Sequence, residues 1–208
     1  MPWHLLDVKK ASDAKAEGGR YHNTLEAAAK GGHKQAVKTL LENGAEVNTQ
    51  GEDFRNALQA AAARGSVEVV EMLLENGAEV NTESGDFRTA LQAAVEGGHK
   101  QVVKMLLKNS AEVDTQGEKY STALQAAVCR GYKQIVKLLL DKGAKFDTQG
   151  GNYSTALQAA VFRGHKQIVK MLLDKGAEAN TKVVEDGTTL QAASEAGHDQ
   201  PGKRRRLY

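Results

Sequence analysis

From Lys166 to Asp174 the chain reads KQIVKMLLD. Ile168, Val169, Leu172 and Leu173 fall at i, i+1, i+4 and i+5, with Lys166, Lys170 and Asp174 between them. That spacing gathers the apolar residues on one face and predicts an amphipathic helix. The stretch before it, ALQAAV from Ala156, predicts a different helix: short, small-sided and apolar, able to approach its neighbours closely. Thr155 in front of it is an N-cap residue, whose side-chain oxygen can accept from a backbone N–H left open in the first turn. Gly164 fits a left-handed position after the first helix, and Gly176 closes the second. The connection that follows, AEANTKVVEDG, is rich in Asn, Asp and Gly and suits a turn or a hairpin-like excursion.

This pattern recurs. Leu25, Leu58, Leu91, Leu124, Leu157 and Leu190 are each 33 residues apart, and a glycine follows each seven residues later. Leu-Leu pairs begin at Leu40, Leu73, Leu106, Leu139 and Leu172, and N-cap residues stand at Asn23, Asn56, Thr89, Thr122, Thr155 and Thr188. The two nearest copies, Ser121–Lys145 and Ser154–Glu178, differ at four of 25 positions: Cys129/Phe162, Tyr132/His165, Leu138/Met171 and Lys145/Glu178. One unit of two short helices cannot bury both its faces, so repetition supplies the core. The prediction is an all-α solenoid of stacked helix-turn-helix units joined by hairpin-like turns.

The period, the two helices and the order of marks in TALQAA…GHKQIVKMLLDKGAEAN, from Thr155 to Asn180, resemble the ankyrin repeat. The resemblance covers about residues 15–200 and implies this division: a cap or half-repeat at 1–14; repeats at 15–47, 48–80, 81–113, 114–146 and 147–179; a C-terminal half-repeat cap at 180–200; a basic tail at 201–208. The departures are regular. The family's proline is Ala or Thr, and its histidine is Gln at Gln59, Gln92, Gln125, Gln158 and Gln191, and Glu26 in the first unit. An aromatic stands two residues before the cap, at Tyr21, Phe54, Phe87, Tyr120 and Tyr153; it is either turn packing or an exposed strip for a partner. This variant is similar to arrays common in fungal proteins, some of which follow a NACHT-type switch domain. Ser110 replaces the glycine of Gly44, Gly77, Gly143 and Gly176. If that position is left-handed, Ser110 costs about 1 kcal/mol.

Composition narrows the function. A net charge of +2 gives no global field pointing to nucleic acid or membrane. The single cysteine, Cys129, suits a reducing compartment, no apolar run is long enough to span a bilayer, and the opening MPWHLLDVKK does not read as a secretory leader. The expected location is cytoplasmic, or nuclear if Lys203-Arg204-Arg205-Arg206 is an import signal rather than a solubilising tail. Gly197, Gly202 and Lys203 have the spacing of a phosphate loop, but Arg204 stands where Ser or Thr would bind magnesium. His33, His99, His165 and His198 share one repeat position, and the resemblance implies turn hydrogen bonds for them. Stacked about 10 Å apart, they cannot share a metal. Lysines at 34, 38, 100, 104, 133, 137, 166 and 170 form a stripe on the second helices, interrupted by Glu68 and Glu71, which argues against a continuous phosphate track. No catalytic set, cofactor site or metal site is expected.

Variation among the units points to the site. Two residues near the end of each first helix change most, one running Lys30, Ala63, Glu96, Cys129, Phe162, Glu195, the next Gly31, Arg64, Gly97, Arg130, Arg163, Ala196. Turn positions vary too, including Arg55, Arg88, Lys119 and Asn152. In the ankyrin family the matching positions line a concave groove that holds partners. The expected partner-binding residues are therefore Arg55, Arg64, Arg88, Glu96, Lys119, Cys129, Arg130, Asn152, Phe162 and Arg163. Cys129/Phe162 reads as a surface change, because a buried swap of that size would overpack a core. The expected function is non-enzymatic binding of a partner protein by a monomer, with end-to-end association as a further possibility. The alternative is a structural or sensor segment of a larger switch protein that contacts neighbouring domains through its ends.

Overall fold

The computed structural model describes residues 24–49, 56–83, 89–117, 122–149 and 155–178, and the backbone of 182–183 and 187–188. Among them are ten helices in five pairs. The first helices are α1 (Thr24–Gly31), α3 (Ala57–Arg64), α5 (Ala90–Glu96), α7 (Ala123–Cys129) and α9 (Ala156–Phe162). The second helices are α2 (Lys34–Glu42), α4 (Val67–Glu75), α6 (Lys100–Lys108), α8 (Lys133–Asp141) and α10 (Lys166–Asp174). Two short strands follow, β1 (Lys182–Val183) and β2 (Gly187–Thr188), paired antiparallel with Lys182 opposite Thr188. The connection after the last helix is thus a small hairpin. Thr188, expected as an N-cap, lies in β2, and the helix it was to cap falls outside the described residues.

The caps form as the sequence predicts. Asn56, Thr89, Thr122 and Thr155 have extended backbones, and each side chain accepts the N–H of the glutamine three residues on, at 2.8–3.2 Å. The glutamine itself does a second job. Gln59, Gln92 and Gln125 donate Nε2 to the carbonyls of Thr82, Thr115 and Thr148 at 2.8–3.0 Å, tying each first helix to the turn that leads to the next unit. Gln158 accepts the Thr155 N–H with its Oε1, a reciprocal cap. This is a physical reason for Gln at that position.

The turns are also tied unit to unit. Asn48 donates to the Gly77 carbonyl and accepts from the Glu79 N–H; Asn81 does the same with Ser110 and Glu112; Asp114 accepts from the Lys145 N–H. Ser110 has φ +63°, in the left-handed region that the equivalent glycines occupy at +78° to +98°.

The core is one continuous layer. Leu25, Leu58, Leu91, Leu124 and Leu157 are buried in the first helices, and Val37, Val70, Val103 and Val136 in the second. Burying one such leucine contributes about 1.5–3 kcal/mol. Ala61, Ala94, Ala127 and Ala160, one per unit, are also fully buried, and such small side chains let neighbouring first helices approach closely. First helices therefore contact one another more extensively than second helices do, and the stack is tighter on the first-helix side.

Candidate protein-interaction surface

The first helices end on Arg64, Glu96, Cys129 and Phe162, one per unit. Because every unit keeps the same 33-residue register, these ends and the residues that follow them form a row along the stack. The row carries Arg64, Glu96, Cys129, Arg130, Phe162 and Arg163. Arg55, Arg88, Lys119 and Asn152 lie outside the described residues, as do the five repeated aromatics, both termini and His198.

Charge is organised within the row. Arg130 donates Nη2 to Glu96 Oε1, linking the ends of α5 and α7. The Glu96 side chain is only 13% exposed and that of Arg130 38%, so the pair is partly shielded from water. Burial pushes the Cys129 thiol above its ordinary value; nearby Glu96 adds to that rise, while Arg163 and Arg130 oppose it. Glu96, Arg130 and Arg163 thus all lie within electrostatic reach of Cys129. Cys129 does not belong to the accessible surface: it is buried and packs into the core. The sequence reading of position 129 as a surface position is corrected on that ground.

Phe162 occupies the equivalent position one unit on and is 69% exposed. Among the described residues it is the one large apolar side chain that stands clear of the core. Arg64 and Arg163 are exposed as well. Arg64 lies back over the preceding unit: a Cβ added at Gly32 would come within 2.6 Å of its Nε.

Pairing is what a list of variable positions could not supply, yet a signal for it exists. Lys34–Glu68 (3.9 Å), Glu96–Arg130 and Asp141–Lys175 (3.5 Å) each join residues 34 apart, one more than the period. Opposite charges at that separation mark contacts between neighbouring units.

The repeated ring position is structural. The His99 ring covers Gly65, and its Nε2 lies 3.0 Å from the Ala63 carbonyl. Tyr132 covers Gly98 and His165 covers Gly131 in the same way. A side chain on any of these glycines would strike the ring, and each already has a positive φ. Among the described residues no group of three His, Cys, Asp or Glu is arranged to hold a metal ion, and no helix is long and apolar enough to cross a membrane.

A search of curated proteins returned no match. Family models do match: ankyrin repeats (many copies) over residues 25–74, ankyrin repeats (3 copies) over 81–150, and a single ankyrin repeat over 152–183. These repeats are in general protein–protein interaction modules. With a shared 33-residue register, five helix pairs on one core and most of the sequence matched, the chain belongs to the ankyrin repeat family.

Proposed function

We propose that the chain binds a partner protein, without chemistry of its own, through the row of first-helix ends on the tighter side of the stack. The observation that carries this reading is Phe162, an exposed aromatic on a scaffold that otherwise buries its large apolar side chains among the described residues. Arg163 follows it directly in sequence, and Arg130 holds the same position as Arg163 one unit earlier. An aromatic anchor beside arginines is the composition in which binding energy concentrates at protein interfaces. The scaffold adds pre-organisation, since helices locked by caps and inter-unit hydrogen bonds lose little freedom on association. Arg55, Arg64, Arg88, Lys119 and Asn152 extend the same surface in this proposal. The resemblance to arrays that adjoin a NACHT-type switch domain belongs to the proposal too, and its support is the sequence pattern alone.

The test compares the native chain with Arg130→Ala/Phe162→Ala/Arg163→Ala as bait in source lysate, with crosslinking at the row and mass spectrometry. A protein crosslinked at this row, and lost by the folded variant, is the expected result. Equal capture by both chains, or crosslinks confined to the array ends, would overturn the reading.

A further inference from the structure

The net charge of +2 hides a local concentration. α6, α8 and α10 together carry seven lysines and two aspartates. Lys100, Lys133 and Lys166 open the three helices, and Lys104, Lys137 and Lys170 follow one turn later. All six are exposed. Among the described residues none of the six takes part in an ion pair or a side-chain hydrogen bond, unlike Lys34, Lys38 and Lys175 elsewhere in the same layer. They form two parallel rows of three, with neighbouring helices about 10 Å apart.

Helix stability does not account for this placement. A cation in the first turn opposes the helix dipole, and lysines at i and i+4 repel. α8 and α10 add an aspartate in the last turn, again the unfavourable end. α4 shows that the fold accepts the opposite choice, with Glu68, Glu71 and Glu75 on the same face.

We propose that the outer face of α6, α8 and α10 is an electrostatic docking surface for an anionic lipid bilayer. The chemistry of the face selects this occupant. It presents ammonium groups with no arginine fork for base edges and no exposed aromatic among them on which bases could stack. Lysine is depleted at protein interfaces, which centre on aromatic and apolar residues that this face lacks. The layer is also the splayed side of the stack, where second helices touch least. Anionic lipids diffuse within the bilayer and can gather beneath each of these ammonium groups.

The experiment is co-sedimentation of the full chain with vesicles of phosphatidylcholine alone and with about 30% phosphatidylserine, at low and high salt. Binding is expected only with the anionic vesicles and only at low salt. A variant with glutamine at all six lysine positions should lose it, each lysine contributing about a fivefold change. That variant keeps the basic tail, so retained binding would assign the effect to the tail and overturn the proposal. Should the six-fold variant fail to fold, Glu71→Lys, at the position of Lys104 one unit earlier, extends the second row and must tighten binding; unchanged binding would also overturn it. An equimolar arm with duplex DNA completes the test, and tighter, lysine-dependent binding to DNA than to the vesicles would give the face to nucleic acid instead.

Discussion

Val136 and Leu140 are buried, whereas Val169 and Leu173, their counterparts 33 residues on, are half-buried. The units that hold them differ at only four of 25 positions. The cause is position in the stack. α8 lies between α6 and α10, while α10 has a second helix on one side only among the described residues. The four substitutions sort by the same logic. Tyr132 and His165 both lay a ring on the glycine of the preceding unit, and Leu138 and Met171 are both half-buried flexible apolar residues, so those changes keep the role. Lys145 and Glu178 are both exposed. Cys129 and Phe162 keep nothing in common: one is enclosed beside the Glu96–Arg130 pair, the other is 69% exposed. A repeated sequence therefore specifies a unit, and the neighbours specify its surface.

Mutations can break or sharpen that comparison. The largest effect belongs to the shared core. Leu139→Ala, in a fully buried side chain with neighbours on both sides, should cost about 2–5 kcal/mol in denaturant unfolding. Val136→Ala should cost more than Val169→Ala by the same measurement; equal losses would mean that stack position does not set burial energy.

Next comes the exchange between the two unlike sites. Cys129→Phe should lose about 1–3 kcal/mol by overpacking. Phe162→Cys should leave the melting temperature nearly unchanged and weaken partner capture. If both swaps prove equally neutral by calorimetry, the two positions are equivalent after all.

A smaller change is expected at the caps. Thr122→Ala and Thr155→Ala should each lose about 1 kcal/mol, because each removes the acceptor for a buried glutamine N–H. Thermal melts that separate the two by a wide margin would show that the bond from the Thr155 N–H to Gln158 Oε1 offsets part of the loss.

The smallest effect is a gain. Ser110 holds a left-handed φ of +63° with its side chain exposed, so Ser110→Gly relieves strain without opening a cavity. The expected gain is up to about 1 kcal/mol and a higher melting temperature. A lower melting temperature would place the cost in glycine's added unfolded-state freedom rather than in backbone strain.

Much of this was legible in the chain itself. The 33-residue period, the caps, the inter-helix glycines and the apolar faces follow from local rules: propensity, side-chain capping and helical spacing act within one unit and repeat with it. The left-handed strain at Ser110 was readable for the same reason, as a break in a column of glycines. Tertiary structure decided what lies between units. It buried Cys129 and exposed Phe162, paired Glu96 with Arg130, gave the glutamines their turn carbonyls, and left six lysines without counter-charges. Each of these depends on which atoms the adjacent unit brings within a few ångströms, and a pattern read along one unit carries no record of that distance.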